Sequence, residues 1–455
     1  MSVSSKRNDV NATVEHFSGE LGRFERLWRF VTVLSLALRV YVGYKAIQLW
    51  TRFVRDGNKA DLYRRQDLRS ARALYRTAVK LEGLLIKACQ FIATRADILP
   101  DEWVDTLSVL HDQVPARPFA IIRAQVEREL GRPLETIFAA FNQQPIASAS
   151  LAQVHEARLA DGRRCAVKVQ YPGIEGRVDA DLRNLMFVLR ILAWVESNFD
   201  FRVVAREMLK YVPMELDFVN EGHNCERVGH NFAAQSDVIV PQVYWEFTSR
   251  RVLTMEFMEG IKVTELEGTG INRQDVAQKL VEIYCEQILR DGFFQADPHP
   301  GNLLVQPGPK LVLLDFGLAK DFPPSFREGI VRLTLAILTS DSAGIVRAFG
   351  DLGFKTRNGS LEGMVKVSEL LIGSVIRRGK AYADQDLMKE MSDELPRALR
   401  ANPIVEVPGD ILLVSRVMGL LSGLGKSLDS KVDMMQTMMP YAMLGSATTS
   451  RASGG

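Results

Sequence analysis

The sequence predicts an α+β protein in which short strands lie between two mainly helical regions. Apolar residues recur at helical spacing over residues 60–95 and again from Ile121 to Leu130. From Ile137 short apolar runs alternate as in strands, and after Gly260 the pattern is again mainly helical. We therefore expect a helical extension (1–115), a strand region with long inserted helices (116–258), a helical region with short strands (259–345) and a helical C-terminal region (346–455).

The most apolar stretch of the chain runs from Leu27 to Trp50. Arg29, Arg39 and Lys45 interrupt it, and its uncharged run from Phe30 to Leu38 is well short of the roughly 20 residues that span a bilayer. The pattern indicates a helix that lies on a membrane or packs on the protein. Acidic residues among the first 25 positions argue against a signal peptide and a transit peptide.

Turn residues and periodicity place the later elements. Asp161-Gly162 predicts a hairpin turn between strands at 151–159 and 165–171. A long helical region is expected over 178–227. Further strands are predicted at 238–244 and 251–257, which we expect to pair, and at 303–305 and 311–314.

The Met- and Leu-rich segment 411–445 has helical spacing. It indicates either a core helix or a helix that faces a membrane or a partner. Within it, Gly419 to Ser427 resembles a phosphate-binding P-loop, but the glycine spacing is one residue too long and no strand precedes it.

The distribution of charge and the spacing of the cysteines indicate which partners and which compartment to expect. The net charge is +2, yet residues 1–95 hold 18 Lys and Arg against 8 Asp and Glu, a net of +10. This basic region suits an anionic membrane surface or is simply a solvated helix face. No basic groove with interleaved aromatic residues is present, so no nucleic-acid partner is expected. The four cysteines are far apart, which indicates a reducing compartment, either the cytoplasm or an organelle interior.

Four residues carry the chemistry. Lys168 lies in the apolar strand AVKV, where its ammonium could contact nucleotide phosphates or lie on an exposed sheet face. Asp297 and Asn302 stand five apart in a loop, where the carboxylate can accept a proton and the amide oxygen can bind Mg²⁺. Asp315 follows an apolar strand and precedes Phe-Gly, which suits a second Mg²⁺ ligand.

The order and spacing of these residues are those of a protein kinase, so we expect a bilobal kinase-like fold that binds ATP or ADP with Mg²⁺. Two kinase features are missing. No glycine-rich loop precedes Lys168. Ala147, Ser148, Ala149 and Ser150 stand in its place, and we expect them to contact the nucleotide because their small side chains still permit close approach to phosphate. No Ala-Pro-Glu motif follows Asp315, so the peptide-binding activation segment looks truncated.

These motifs resemble the UbiB family of atypical kinases over about residues 80–320. The matching segments are KACQFIATRADILPDEW (87–103), PIASASLAQVHEA (145–157), AVKVQYPGI (166–174), ELDFVNEGHNCER (215–227), ADPHPGNLLV (296–305) and LLDFG (313–317). The resemblance implies a nucleotide-binding kinase or ATPase in isoprenoid-quinone or lipid metabolism, not a protein kinase. Its expected acceptor is water, a small lipid or a prenyl-phenol. The alternative is a catalytically slow, nucleotide-binding scaffold for membrane-associated enzymes.

The resemblance also assigns residues. Lys87 and Gln90 take the places of the KxGQ motif of the family, which is expected to lie near Asp297. Glu215 or Asp217 is the expected carboxylate partner of Lys168, with Glu207 as a rival.

For the adenine, backbone groups at Glu256 and Met258 are the expected contacts. The sequence departs from the family at three positions. Cys89 replaces the KxGQ glycine, Ser148 replaces an alanine, and Gln295 replaces a histidine that often stands two residues before the catalytic Asp.

Overall fold

Two units make up the computed structural model of this chain. It describes residues 22–51, 59–93, 100–111, 116–195, 209, 212–361, 364–365, 404–406 and 408–452. The first unit comprises residues 1–222 and 242–257, and the second comprises 223–241 and 258–455. The predicted four-region division stays a prediction.

The first unit begins with helices. Glu82 and Gly83, with φ of 56° and 58°, end one helix and start the next. Gly131, with φ of 67°, ends another, as its position in the sequence indicated. The helices are α1 (Arg23–Trp50), α2 (Lys59–Leu81), α3 (Leu84–Ala93), α4 (Asp101–Ser108), α5 (Phe119–Leu130) and α6 (Leu134–Ile137).

Helix α1 contacts the rest of the first unit through one face. Arg29 and Val33 are its buried residues. The Arg29 guanidinium bonds Asp181 Oδ1 at 2.8 Å and the Leu81 carbonyl at 2.9 Å. By length and composition alone this helix could cross a membrane. The sequence prediction, which judged only the uncharged run, found it too short, and the full helix of 28 residues corrects that estimate.

The first unit also holds an antiparallel sheet in the order β1-β3-β4-β6, with β2 on β3. The hairpin of β3 and β4 turns at Gly162, with φ of 90°, as predicted. Its inward residues build a core with α5 and α6. The strands are β1 (Phe138–Phe141), β2 (Ala147–Ser148), β3 (Ala152–Leu159), β4 (Arg164–Gln170) and β6 (Val252–Glu256).

Two helices lie between β4 and β6 in the chain, where the long helical region was predicted. They are α7 (Ile174–Val195) and α8 (Phe218–Asn231), with a 3₁₀ turn at Met214–Leu216 before α8. Part of the predicted region lies outside the described residues.

One predicted strand pair is confirmed only in part. Segment 251–257 does form β6, but β5 (Val238–Ile239) pairs in parallel with β10 of the second unit. The later part of the predicted segment does meet β6, through an isolated antiparallel bridge between Val243 and Met255 and a hydrogen bond of 2.8 Å from the Tyr244 N–H to the Thr254 carbonyl. Apolar alternation identified both strands and could not choose between partners distant in sequence.

The second unit holds a sheet in the order β5-β10-β9-β7 and a separate β8-β11 pair. Its further strands are β7 (Ile261–Lys262), β8 (Phe293–Gln295), β9 (Leu303–Gln306), β10 (Lys310–Leu313) and β11 (Ala319–Asp321), with a small pair of β12 (Lys355–Thr356) and β13 (Ile404–Glu406). Its helices are α9 (Arg273–Cys285), extended by a π-helical turn (Glu286–Asp291), α10 (Pro324–Leu338), α11 (Ser342–Asp351), α12 (Gly409–Ser427) and α13 (Met434–Ala452).

The C-terminal helices contribute to the core of this unit. Leu413, Val417, Leu421 and Leu424 of α12 are buried, as is Met438 of α13. The P-loop-like segment 419–427 lies wholly within α12, so it forms no loop that could cradle a phosphate.

Candidate functional site

Lys168 lies in β4, and its ammonium pairs with a buried carboxylate. Its Nζ lies 2.6 Å from Glu221 Oε1, in the first turn of α8. The lysine side chain is 14% exposed and the glutamate side chain 1%. The centre of the Phe218 ring lies 5.2 Å from the ammonium. Because a buried carboxylate is costly without a partner, this pair fixes the direction of the lysine side chain.

The carboxylate partner of Lys168 differs from the prediction of Glu215 or Asp217. Asp217 Oδ1 accepts hydrogen bonds of 3.1 Å from two backbone N–H groups in the first turn of α8, so it caps that helix. Glu215 lies in the preceding 3₁₀ turn and pairs with another lysine. Glu221 lies one helical turn beyond the cap, and this position brings its side chain to β4. The rival Glu207 lies outside the described residues.

The KxGQ-like residues Lys87 and Gln90 share α3 and have different partners. Lys87 Nζ lies 2.8 Å from Glu215 Oε2, and each side chain is 15% exposed. The Gln90 amide is buried and donates to the Leu110 carbonyl at 2.9 Å. Lys87 therefore joins α3 to the turn before α8, and Gln90 joins α3 to the 3₁₀ turn Val109–His111 that follows α4. The predicted proximity to Asp297 stays a prediction.

Cys89, in the place of the family glycine, is fully buried. Burial raises the pKa of its thiol well above the usual range, so the side chain is neutral. It lies in a cluster that includes Val33, Leu107 and the small residue Ala78. A side chain larger than glycine needs extra room at this position, and the small Ala78 in the same cluster is consistent with that need.

Residues 147–150, in the place of a glycine-rich loop, form a tight hairpin instead. Ala147 and Ser148 form β2 and pair with β3, and the Ala149 N–H donates to a carbonyl at the start of β3 at 2.8 Å. The Ser148 hydroxyl lies 2.9 Å from the Tyr171 hydroxyl, and Ser150 is buried. None of the four has a positive φ. A loop without glycine is thus stiffened by backbone pairing.

The predicted adenine contacts lie at the division between the units, which falls between Phe257 and Met258. The Glu256 N–H donates to the Gln242 carbonyl at 2.8 Å. This backbone donor is therefore used within the first unit. A contact with adenine at this position would use the carbonyl of Glu256 or a backbone group of Met258.

In the second unit, the loop from Asp297 to Asn302 closes on itself. The Asn302 side-chain N–H donates to the Asp297 carbonyl at 3.3 Å, which directs the amide oxygen to the other side. The Leu314 N–H donates to the Asn302 carbonyl at 3.1 Å. Strands β9 and β10 form the hairpin between these points, as the 13-residue separation of Asn302 and Asp315 indicated. The hairpin brings the two predicted Mg²⁺ ligands to the same end of the sheet.

Gln295 joins the two loops from inside the core. It is fully buried, its side-chain N–H donates to the Asp315 carbonyl, and its oxygen accepts from the Tyr284 hydroxyl at 2.9 Å. Burial and, second, the charge of Asp297 raise the pKa of Tyr284, so the hydroxyl stays protonated and donates. Asp315 Oδ1 accepts from the Gly317 N–H at 3.0 Å. Gln295 therefore has a structural role, and its hydrogen bonds do not require a side chain that changes its charge with pH.

The structure adds a residue that the sequence analysis missed. Arg416 of α12 is buried, and its Nη2 lies 2.9 Å from Asp297 Oδ1. The signal was present in the sequence, since a single arginine stands in the apolar run ILLVSRVMGLL. A charge at such a position needs a partner, but nothing local names it. Glu221 was also missed, although Asp217 as a helix cap would have placed it in the first turn.

Residues 109–349 match the ABC1 atypical kinase-like domain. The chain is similar to the Arabidopsis thaliana protein Activity of bc1 complex kinase 8, chloroplastic, with 34% identity over 82% of this chain and 54% of that protein. It is also 38% identical to the Drosophila melanogaster AarF domain-containing kinase 1, over 60% of this chain and 54% of that protein.

The chain thus spans a little over half the length of these relatives. An uncharacterized Synechocystis protein, sll0095, is covered further, with 30% identity over 92% of this chain and 74% of that protein. Among solved structures, Rv3197 from Mycobacterium tuberculosis, in complex with erythromycin, has a TM-score of 0.59. It is 22% identical and covers 83% of this chain and 97% of its own. This likeness concerns the fold alone, and the predicted α+β, kinase-like fold class is confirmed.

Proposed function

We propose that this chain, which belongs to the ABC1 atypical kinase-like family, binds ATP or ADP with Mg²⁺ and transfers the terminal phosphoryl group of ATP to water or to a small lipid or prenyl-phenol. The resemblance to the UbiB family is confirmed with this membership. The single observation that carries the proposal is the buried pair of Lys168 and Glu221. A strand lysine oriented by a helix glutamate is the arrangement by which kinases contact the phosphates of a nucleotide.

Each residue of the proposed site has a role that its chemistry suits. Lys168 contacts phosphate oxygens, and Asp297 accepts the proton of the attacking hydroxyl. Asn302 and Asp315 hold Mg²⁺, which when bound neutralises phosphate charge. In the described part of the chain no three His, Cys, Asp or Glu side chains group closely enough to hold a metal alone. One carboxylate and one amide oxygen completed by substrate phosphates fit Mg²⁺, which favours such incomplete protein sites.

The test is steady-state phosphate release from Mg-ATP, with and without lipid and prenyl-phenol additives. Asp315→Asn and Lys168→Met should each reduce turnover by about 10²-fold or more, because phosphoryl transfer depends on fixed charge. The exposed Lys426→Met is the matched control and should keep wild-type turnover. Equal rates for wild type and Asp315→Asn would refute the enzymatic proposal.

A slow, nucleotide-binding scaffold is the second candidate. The segment after Asp315 favours it, since β11 begins at Ala319 and α10 at Pro324, which leaves a very short connection in place of an activation segment. Thermal shift with ADP, ATP and Mg²⁺ separates the candidates. Stabilisation without turnover favours the scaffold, and no shift with any nucleotide removes both candidates.

We also infer a role at a membrane surface, in connection with isoprenoid-quinone or lipid metabolism. Helix α1 exposes Phe24, Leu27, Leu38, Val42 and Trp50 although it is apolar, and it lies in the +10 region of the chain. Such a helix suits an anionic bilayer surface. Two of the similar proteins are named chloroplastic, which favours an organelle interior.

Co-sedimentation with anionic and neutral vesicles at low salt tests this role. Binding should prefer anionic vesicles, weaken with salt, and decrease in Leu38→Glu/Val42→Glu. The exposed Arg158→Gln is a control outside α1. Absence of binding at low salt, or unchanged binding after deletion of residues 1–60, would contradict the proposal.

A further inference from the structure

The loop that carries the proposed proton acceptor contains no Lys or Arg of its own. Its sequence is Asp297-Pro-His-Pro-Gly-Asn302. Phosphoryl transfer moves a highly charged group, and some phosphoryl-transfer enzymes, such as GTPases, supply an arginine that stabilises it, either from the same chain or from a partner. Any Lys or Arg side chain that lies beside this loop must therefore come from another part of the chain or from a partner.

Arg416 takes that place. Its Nη2 lies 2.9 Å from Asp297 Oδ1, and the two side chains are 4% and 17% exposed. It comes from α12, outside the segment 109–349 that matches the family domain. A charged pair of this kind is weakly stabilising at best, because both groups lose water. Stability alone therefore gives little reason for a buried arginine at this position.

Helix α12 is held firmly at both ends. Lys320 Nζ, in the strand that follows Asp315, lies 3.2 Å from Asp410 Oδ1 in the first turn of α12. Beyond the last turn, the Gln274 oxygen of α9 accepts from the Lys431 N–H at 2.8 Å. Buried leucines pack the helix between these points. Arg416 is thus presented from a helix that is packed along its length and joined to the unit near both ends, which suits an electrostatic role in catalysis.

We propose that Arg416 is a positioning residue for phosphoryl transfer: it orients the Asp297 carboxylate and places a fixed positive charge beside the transferred group. The inference rests on the proposed function and deepens it. In hydrolysis, the water oxygen bonds to the γ-phosphorus and its proton passes to Asp297. The bond from the γ-phosphorus to the β,γ-bridging oxygen breaks, and ADP keeps its electron pair. Arg416 itself exchanges no proton.

The experiment compares wild type, Arg416→Met and Arg416→Lys, with Lys426→Met as a control on the same helix. The first readout is the rise in melting temperature with Mg-ADP and with Mg-ADP plus aluminium fluoride, which mimics the transferred phosphoryl group. The wild type and the control should gain extra stability from the fluoride. Arg416→Met should lose that extra gain and keep the response to Mg-ADP, and Arg416→Lys should keep part of it.

The second readout is turnover. Arg416→Met should lower kcat for phosphate release by about 10²–10³-fold with KM within about threefold, because the charge acts on the transition state. Arg416→Lys should recover part of that loss. In an Asp297→Asn background, Arg416→Met should cost much less than in wild type, since the two residues act as a unit.

Several outcomes overturn the inference alone: no extra gain from fluoride in a wild type that responds to Mg-ADP, an undiminished gain in Arg416→Met, or a faster Arg416→Met. Equal losses in Arg416→Met and Arg416→Lys, or failure of both to fold, would show a structural role and also overturn it. No response of the wild type to any nucleotide removes the proposed function, and the inference falls with it.

Discussion

Removal of the Lys168 ammonium is the sharpest test of the site geometry. Lys168→Met keeps an unbranched side chain up to Cε and removes the ammonium that lies 2.6 Å from Glu221, whose side chain is 1% exposed. Breaking one side of a buried ion pair costs about 3–5 kcal/mol. Because the lysine is 14% exposed, we expect the lower end, about 3 kcal/mol. At about 2–4 °C per kcal/mol for units of this size, the melting temperature should fall by about 6–12 °C.

A double-mutant cycle then identifies the partner. Glu221→Gln in the Lys168→Met background should restore much of the lost stability, because a neutral amide is less costly to bury than a lone carboxylate. We expect a coupling of at least about 1.5 kcal/mol between Lys168 and Glu221. Glu215, which pairs with Lys87, supplies the matched control. Its cycle with Lys168 should be additive within about 0.5 kcal/mol.

The cycle is measured by thermal and urea unfolding of the full chain without nucleotide. Coupling of Lys168 to Glu215 in place of Glu221 would show that the sequence-based assignment was right and the structural reasoning wrong. An unchanged melting temperature in Lys168→Met would show that Glu221 reaches water or another cation when the lysine is removed.

Three further predictions concern buried polar groups. Burial lowers the pKa of His155, and a backbone hydrogen bond opposes this only in part. Because the unfolded chain binds the proton more readily, stability should fall as pH drops below about 6.5. His155→Gln should flatten that decline in melting temperature. Arg29→Met leaves Asp181 buried without its partner and should cost about 3–5 kcal/mol in thermal unfolding, whereas the exposed Arg39→Met should change nothing measurable. Gln295→Leu removes a hydrogen bond from the buried Tyr284 hydroxyl, which should cost about 1–3 kcal/mol, and a second one from the half-buried Asp315 carbonyl, which should cost less. A melting temperature equal to that of wild type would contradict the tie between the two loops.

The sequence by itself determined the fold class and the order of the chemical groups. Periods of 2.0 and 3.6 residues located the hairpin of β3 and β4 and the helices on either side of it, because local burial patterns are written into neighbouring residues. The spacing of Asn302 and Asp315 indicated the β9–β10 hairpin, since a short antiparallel excursion returns the chain to its start.

Only the tertiary structure decided which groups meet. Glu215, Asp217 and Glu221 are similar carboxylates within seven residues, and the start of α8 selects the last of them for Lys168. Strand β5 pairs with β10, far along the chain, because pairing depends on which edge is available and not on alternation.

Arg416 shows the same limit most clearly. Its position in an apolar helix indicated that it needed a partner, but the packing of α12 alone brings it to Asp297. Contacts between residues distant in sequence depend on how whole elements pack, and no local pattern encodes that arrangement.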